Sequence, residues 1–284
     1  MSASVAVLAQ QDVLLKQSLN NFTIRFKSEA RVICLAFNII RGFMFKKEFL
    51  GIYNIFCSDV HRFGTDAVLL EYFSESKKAK NACDLGTGCG IIPFLMLQNN
   101  ENIKVSAVDI QKDAIALVKR AVKENGVENS VFPINCDLKA IPDEFRAKFD
   151  LVTINPPYKR KGSGKITGNI GIDIARNEIE CTLADICACA NKILMPNGRF
   201  CICQRPERMG EVVFEMKRAG IEPKAFRFVK NKANDKPMLV LINGIKGGKV
   251  GNDILPDLVL KNDDNSDTAE ISDIYKIMRG KTNG

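Results

Sequence analysis

Asp84-Leu85-Gly86-Thr87-Gly88-Cys89-Gly90 is the stretch that decides the fold of this chain. Ala82-Cys83-Asp84-Leu85 reads as a short strand, and Ile91 to Gln98 reads as a helix. The glycines therefore occupy a strand-to-helix turn. Without side chains there, the backbone can approach a ligand at the carboxyl edge of a sheet. Two kinds of ligand use such a turn: dinucleotides and S-adenosylmethionine. A dinucleotide turn has the spacing G-x-G-x-x-G and opens its helix onto a pyrophosphate. Here the spacing is G-x-G-x-G, and position 91 is isoleucine. Asp84 also precedes the glycines, where a carboxylate faces a cation better than a pyrophosphate. Both details favour the sulfonium cofactor, S-adenosyl-L-methionine, with Asp84, Gly86, Gly88 and Gly90 around it.

Outward from this turn the pattern alternates. Lys104 to Asp109 reads as a strand, and Asp113 to Glu124 as an amphipathic helix stopped by Asn125-Gly126. Val131 to Cys136 and Asp150 to Ile154 read as strands. Glu178 to Leu194 reads as a helix closed by Pro196-Asn197-Gly198, followed by a strand at Arg199 to Gln204 and a helix at Pro206 to Ala219. Ala225 to Val229 and Met238 to Asn243 are β-like, with no long helix between them, so they suit antiparallel pairing at an edge. Strands alternating with helices predict an α/β architecture with a mostly parallel sheet.

Acidic residues end successive strands. Asp109, closing the second, is placed to accept ribose hydroxyls. Asp137, just past the third, is placed to accept from the adenine amino group. Either alone is as well explained as a helix cap or a solvated turn.

The fourth strand runs into Asn155-Pro156-Pro157-Tyr158. Asn155 offers a side-chain carbonyl. Pro156 offers a backbone carbonyl on a segment stiffened by adjacent prolines, which carry no N–H. Tyr158 offers a flat face. Together they suit a grip on a planar NH2 group, amide or aromatic amine. Lys159, Arg160, Lys161 and Lys165 follow around Gly162-Ser163-Gly164; they suit phosphate contacts or, equally, a solvated loop.

The chain has 284 residues, 46% of them hydrophobic, and a formal charge of +8. That charge leans weakly toward a polyanionic partner. Of ten cysteines none forms a CxxC pair, and there is one histidine, so a metal site is not expected. The cysteines read instead as small core residues of a reducing cytosol. The longest apolar run, Val32 to Ile40, falls well short of the roughly 18 residues of a membrane span. The N-terminus lacks the pattern of a signal peptide.

With these motifs in order, residues from about 52 to about 255 resemble the class I S-adenosylmethionine-dependent methyltransferases. The resemblance implies a Rossmann-like, mostly parallel seven-stranded sheet with helices on both faces and an antiparallel edge strand. A narrower resemblance, to the tRNA1(Val) (adenine-37) N6-methyltransferases, rests on Phe63-Gly64-Thr65-Asp66-Ala67-Val68-Leu69-Leu70 and on Asn155 to Lys159. Ala175-Arg176-Asn177-Glu178 and Arg205-Pro206-Glu207-Arg208 also carry it; Asn177 departs from the histidine expected there. It implies that Thr65 and Asp66 lie near the cofactor and that Asn155 touches both cofactor and target. Asn155, Pro156 and Tyr158 would then carry catalysis. Pro157, Tyr158, Lys159, Arg160, Lys161 and Lys165 would contact a tRNA substrate. The oligomeric state is not legible.

Residues 1–43 have no counterpart in that family, and Met44 suits a start, so they are expected to be a dispensable extension. The domain is expected over 44–255, and residues 256–284 as a polar tail, partly flexible. Two other functions fit the same motifs: a glutamine N5-methyltransferase acting on release factors, whose target is also a planar NH2, and a non-catalytic RNA-binding protein on the same scaffold.

Overall fold

The computed structural model describes residues 45–156 and 181–279. Near its start, β1 (Lys46–Leu50) and β2 (Tyr53–Cys57) form an antiparallel hairpin turned at Gly51. Ser58 to Gly64 then leads into α1 (Thr65–Ser74). The glycine turn joins β3 (Asn81–Leu85) to α2 (Ile91–Asn99). β4 (Lys104–Asp109), α3 (Lys112–Asn125), β5 (Val131–Asn135) and β6 (Phe149–Ile154) follow. After residue 181 come α4 (Leu183–Ile193), β7 (Leu194–Gln204), α5 (Met209–Arg218), β8 (Ile221–Lys230) and β9 (Leu239–Lys246). The chain closes with two-residue strands β10 (Asp253–Ile254) and β11 (Leu258–Val259) and with α6 (Ala269–Met278).

Seven strands form the body of the sheet in the order β5-β4-β3-β6-β7-β9-β8, and β10 and β11 both pair with β8. β3 to β7 run parallel, and β9 is antiparallel to both neighbours. The antiparallel strand thus lies one place in from β8 rather than on the edge itself. β9 can occupy that place because a short connection from β8 suffices for an antiparallel return.

Local chemistry explains the elements. In α3 the buried Ala114, Ile115, Leu117, Val118, Ala121 and Val122 recur at helical spacing, and Gly126 ends the helix at φ 65°. α4 opens on a capping box between Thr182 and Asp185. Pro196-Asn197-Gly198 does not close that helix. It forms an irregularity inside β7, where a Cβ on Gly198 would lie 2.9 Å from the backbone oxygen of Met195, too close to fit. α5 is preceded by one 3₁₀ turn, Pro206–Arg208.

Period-two alternation sorts the central strands between two faces. Cys83, Leu85, Val152 and Ile154 join Phe149, Phe200, Ile186, Val212 and Met216 in one core with α4 and α5. Asp84 and Thr153 point the other way, toward the side of α1.

Within the expected tail, β11 and α6 are regular elements, and Leu258, Ile271 and Ile274 are buried. The polar stretch Asp263 to Asp267 is only the connection between them. No helix among the described residues is long and apolar enough to cross a membrane. No cluster of three or more metal-ligating side chains occurs among them.

Candidate functional site

The sheet order reverses between β3 and β6: from β3 the chain steps outward to β4, and β6 returns on the other side. A crevice opens at the carboxyl ends of strands flanking such a reversal. Leu85 pairs with Ile154 across these two strands, so the glycine turn and Asn155 leave the sheet side by side.

Gly86, Gly88 and Gly90 all have positive φ, at 65°, 56° and 82°. At Gly86 and Gly88 an added Cβ would meet nothing within 4 Å, so the turn is open to a ligand. At Gly90 it would stand 3.1 Å from Val118 Cγ2, so that glycine also lets α2 and α3 approach closely.

Asp84 is buried, accepts a 2.7 Å hydrogen bond from Thr153 Oγ1, and has no hydrogen bond to Oδ2. Burial raises its pKa to about 7, and the nearby Asp109 adds to the rise. The Thr153 and Thr87 hydroxyls oppose that rise, and a buried carboxyl whose Oδ2 makes no full hydrogen bond favours an incoming positive group. Asp109 is also buried. Its Oδ2 accepts from Gly88 N and its Oδ1 from Gln111 N, both at 2.9 Å. Burial raises its pKa, while those two N–H groups oppose the rise.

Two contacts here lie beyond the sequence reading. Thr153 is a polar residue in an otherwise apolar buried strand, which was a signal, but its partner emerges only from the β3–β6 register. Asn135 Nδ2 donates to the carbonyls of Asp109 and Ile110, both at 2.9 Å, tying the end of β5 to that of β4.

The other expected residues sort themselves. Asp137 caps a 3₁₀ turn, accepting from Lys139 N at 2.9 Å, and its side chain is 34% exposed, so it can serve as cap and contact together. Thr65 opens α1, with its hydroxyl 3.3 Å from Tyr275 Oη of α6. Asp66 accepts from Ala67 N at 3.0 Å within the same turn. Asn155 is half-buried and Pro156 buried directly after β6. Pro157, Tyr158, Lys159, Arg160, Lys161 and Lys165 lie outside the described residues.

Residues 46–217 match the model of the methyltransferase small domain family. The chain belongs to that family. Members' relatives include a tRNA1(Val) (adenine(37)-N6)-methyltransferase of Flavobacteriaceae bacterium (strain 3519-10), 29% identical over 51% of this chain and 59% of the relative. Proteins of the same name from Phocaeicola vulgatus and Shigella dysenteriae serotype 1 are 28% and 24% identical, over 63% and 62% of this chain and 74% and 69% of theirs. The match to the Flavobacteriaceae relative therefore spans under two thirds of that protein. The fold is shared with a solved structure described as a predicted O-methyltransferase of Agrobacterium tumefaciens: TM-score 0.61, 16% identity, 75% of this chain and 96% of the other.

Proposed function

We propose that the chain transfers a methyl group from S-adenosyl-L-methionine to the N6 amine of an adenine in tRNA, adenine 37 beside the anticodon of tRNA1(Val). The observation that carries this reading is the adjacency, set by the Leu85–Ile154 pairing, of a glycine turn and Asn155-Pro156 at the sheet reversal. Family membership and the printed names of the relatives support it.

The residues present fit the cofactor. The open backbone at Gly86 and Gly88, the free oxygen of Asp84 and the carboxylate of Asp109 supply room, a partner for positive charge and acceptors for hydroxyls. When bound, S-adenosylmethionine supplies an electrophilic methyl group on a sulfonium. Asp84, Gly86, Gly88, Gly90, Asp109, Asp137, Thr65 and Asp66 would hold it.

An adenine amine is a poor nucleophile, because its lone pair is delocalised into the ring. Asn155 Oδ1 and the Pro156 carbonyl would accept its two hydrogens, favouring a pyramidal, more reactive nitrogen. This is positioning and electrostatic stabilisation rather than deprotonation by a strong base. Tyr158 would stack on the base turned out of its loop. Lys159, Arg160, Lys161 and Lys165, with Pro157, would line the tRNA side. The setting would be the cytoplasm, where tRNA is.

The test is to incubate the protein with methyl-labelled cofactor and either unmodified tRNA or a release factor, then map the label. Label on N6 of adenine 37 is expected. Label on a protein glutamine, or on another base, would sink the tRNA assignment.

A further inference from the structure

His61 is the one histidine in the chain, and it has no part in the mechanism above. It is 4% exposed, in the segment between β2 and α1. Its backbone is fixed by a small turn: Ser58 N donates to His61 O at 3.1 Å, and His61 N donates to Ser58 Oγ at 3.0 Å. The turn fixes the main chain, and burial confines the ring. Nε2 is buried yet makes no hydrogen bond. It lies 3.3 Å from Asp113 Oδ2 but out of line for a bond, and the Asp113 side chain is 67% exposed and turned mostly to solvent. That contact sets the ring against the first turn of α3, four residues beyond Asp109 at the end of β4.

Chemistry at Asp109 says what this nitrogen is for. Both Asp109 oxygens already take one backbone N–H each, and their remaining lone pairs can only accept. A vicinal diol held there gives its hydroxyl protons to the carboxylate. Its own oxygens can then take a donor, and a buried ring nitrogen near the end of β4 that makes no hydrogen bond is one when it carries the ring proton.

We propose that His61 Nε2 donates to a ribose hydroxyl of the S-adenosyl cofactor, completing with Asp109 the site for the cis-diol. His61 is a positioning residue for the cofactor and touches neither the methyl group nor the target base. The inference rests on the cofactor reading above and not on the identity of the methyl acceptor.

Because the chain has one histidine, untagged protein labelled with ¹⁵N in the histidine ring gives one set of imidazole signals. Saturating S-adenosylhomocysteine should shift the Nε2 resonance and protect its proton from exchange. The 2′-deoxy or the 3′-deoxy analogue should fail to do so. An unmoved Nε2 signal, with calorimetry showing the site filled, would overturn the role of His61. Absence of any binding by the wild-type protein would instead overturn the cofactor reading and this inference with it.

His61→Leu supplies a second readout. It should weaken S-adenosylhomocysteine by roughly 10-fold, the usual worth of one hydrogen bond. The affinity lost on removing the contacted hydroxyl should vanish in this variant, and His61→Gln, which keeps a donor, should recover part of it. Equal deoxy penalties in wild type and variant would reduce His61 to a packing residue. The ring spectra decide the question in the wild-type protein if the variants do not fold.

Discussion

At the scale of single residues, Asp84 and Asn155 make separate predictions. Asp84 titrates near 7, against an ordinary value of 3.8, because it is buried. The folded chain holds that proton more tightly than the unfolded chain does. Asp84 therefore costs the fold nothing below about pH 4, and an increasing amount as pH rises toward 7. Asp84→Asn removes that cost. It should stabilise the cofactor-free protein above pH 7 by about 1–3 kcal/mol, the usual penalty of a buried unpaired polar group, and leave it nearly unchanged at pH 4. The check is urea unfolding of both proteins across that range. The same variant should bind S-adenosylhomocysteine more weakly, since its amide gives a cation less than a carboxylate does. Asn155 makes a different prediction. Asn155→Ala removes one of the two acceptors proposed for the target amine, so transfer should fall by on the order of 10²–10³. Cofactor affinity by calorimetry should stay nearly intact; parallel loss of both would mean that Asn155 belongs to the cofactor site alone.

At the scale of elements, one buried carboxylate holds α1 to α2. Glu71 of α1 is 4% exposed; it accepts from Ser76 Oγ at 2.5 Å and from Asn99 Nδ2 at 2.9 and 3.0 Å. Burial raises its pKa, and those donors oppose the rise. Glu71→Ala would strand the donors and should cost about 1–3 kcal/mol, whereas Glu71→Gln keeps an acceptor and should cost less. Denaturant midpoints of the two variants test this; equal losses would show that packing, not hydrogen bonding, holds the pair. This element also shows what the sequence can carry. The helix at 112–125 announced itself through spacing and the Asn125-Gly126 stop, and β4 has the predicted limits. α1 gave no such signal: Ala67, Val68, Leu69, Leu70, Glu71, Phe73 and Ser74 are all buried, so no polar face marks the helix. The β1–β2 hairpin hid for the opposite reason, being short and charged, with Phe49 69% exposed. At the site, Asp84, the glycines and Asp109 were legible because they follow one another along one turn and the next strand end. Thr153 and His61 act through strand pairing and through a turn from another segment, which local spacing does not encode.

At the scale of the whole molecule, the described elements belong to a compact unit that begins at Lys46, and Leu258–Val259 and Ala269–Met278 are elements of it. Dispensability of residues 1–43 remains a proposal, tested by whether a chain starting at Met44 keeps its melting temperature and cofactor affinity. The other end makes the firmer prediction. β11 pairs with β8, and Leu258, Ile271 and Ile274 are 0%, 1% and 3% exposed. Arg227 of β8 meets Glu270 at 2.7 Å, Gln98 of α2 donates to Met278 O at 3.0 Å, and Tyr275 meets Thr65 at the start of α1. Burying each of the three aliphatic side chains is worth roughly 1.5–3 kcal/mol. Their sum is of the same order as the roughly 5–15 kcal/mol that keeps a domain folded. A chain ending at Leu255 should therefore lose its cooperative thermal transition or aggregate, despite retaining the glycine turn, both acids and Asn155. Tyr275→Phe in the full chain should leave stability within about 1 kcal/mol, the worth of one hydrogen bond, while loosening Thr65 and weakening S-adenosylhomocysteine. A truncated chain that melts within a few degrees of the intact one would show that the C-terminal segment only covers the fold. If truncation unfolds the chain and Tyr275→Phe spares stability but costs affinity, the C-terminal helix both completes the core and steadies the start of α1.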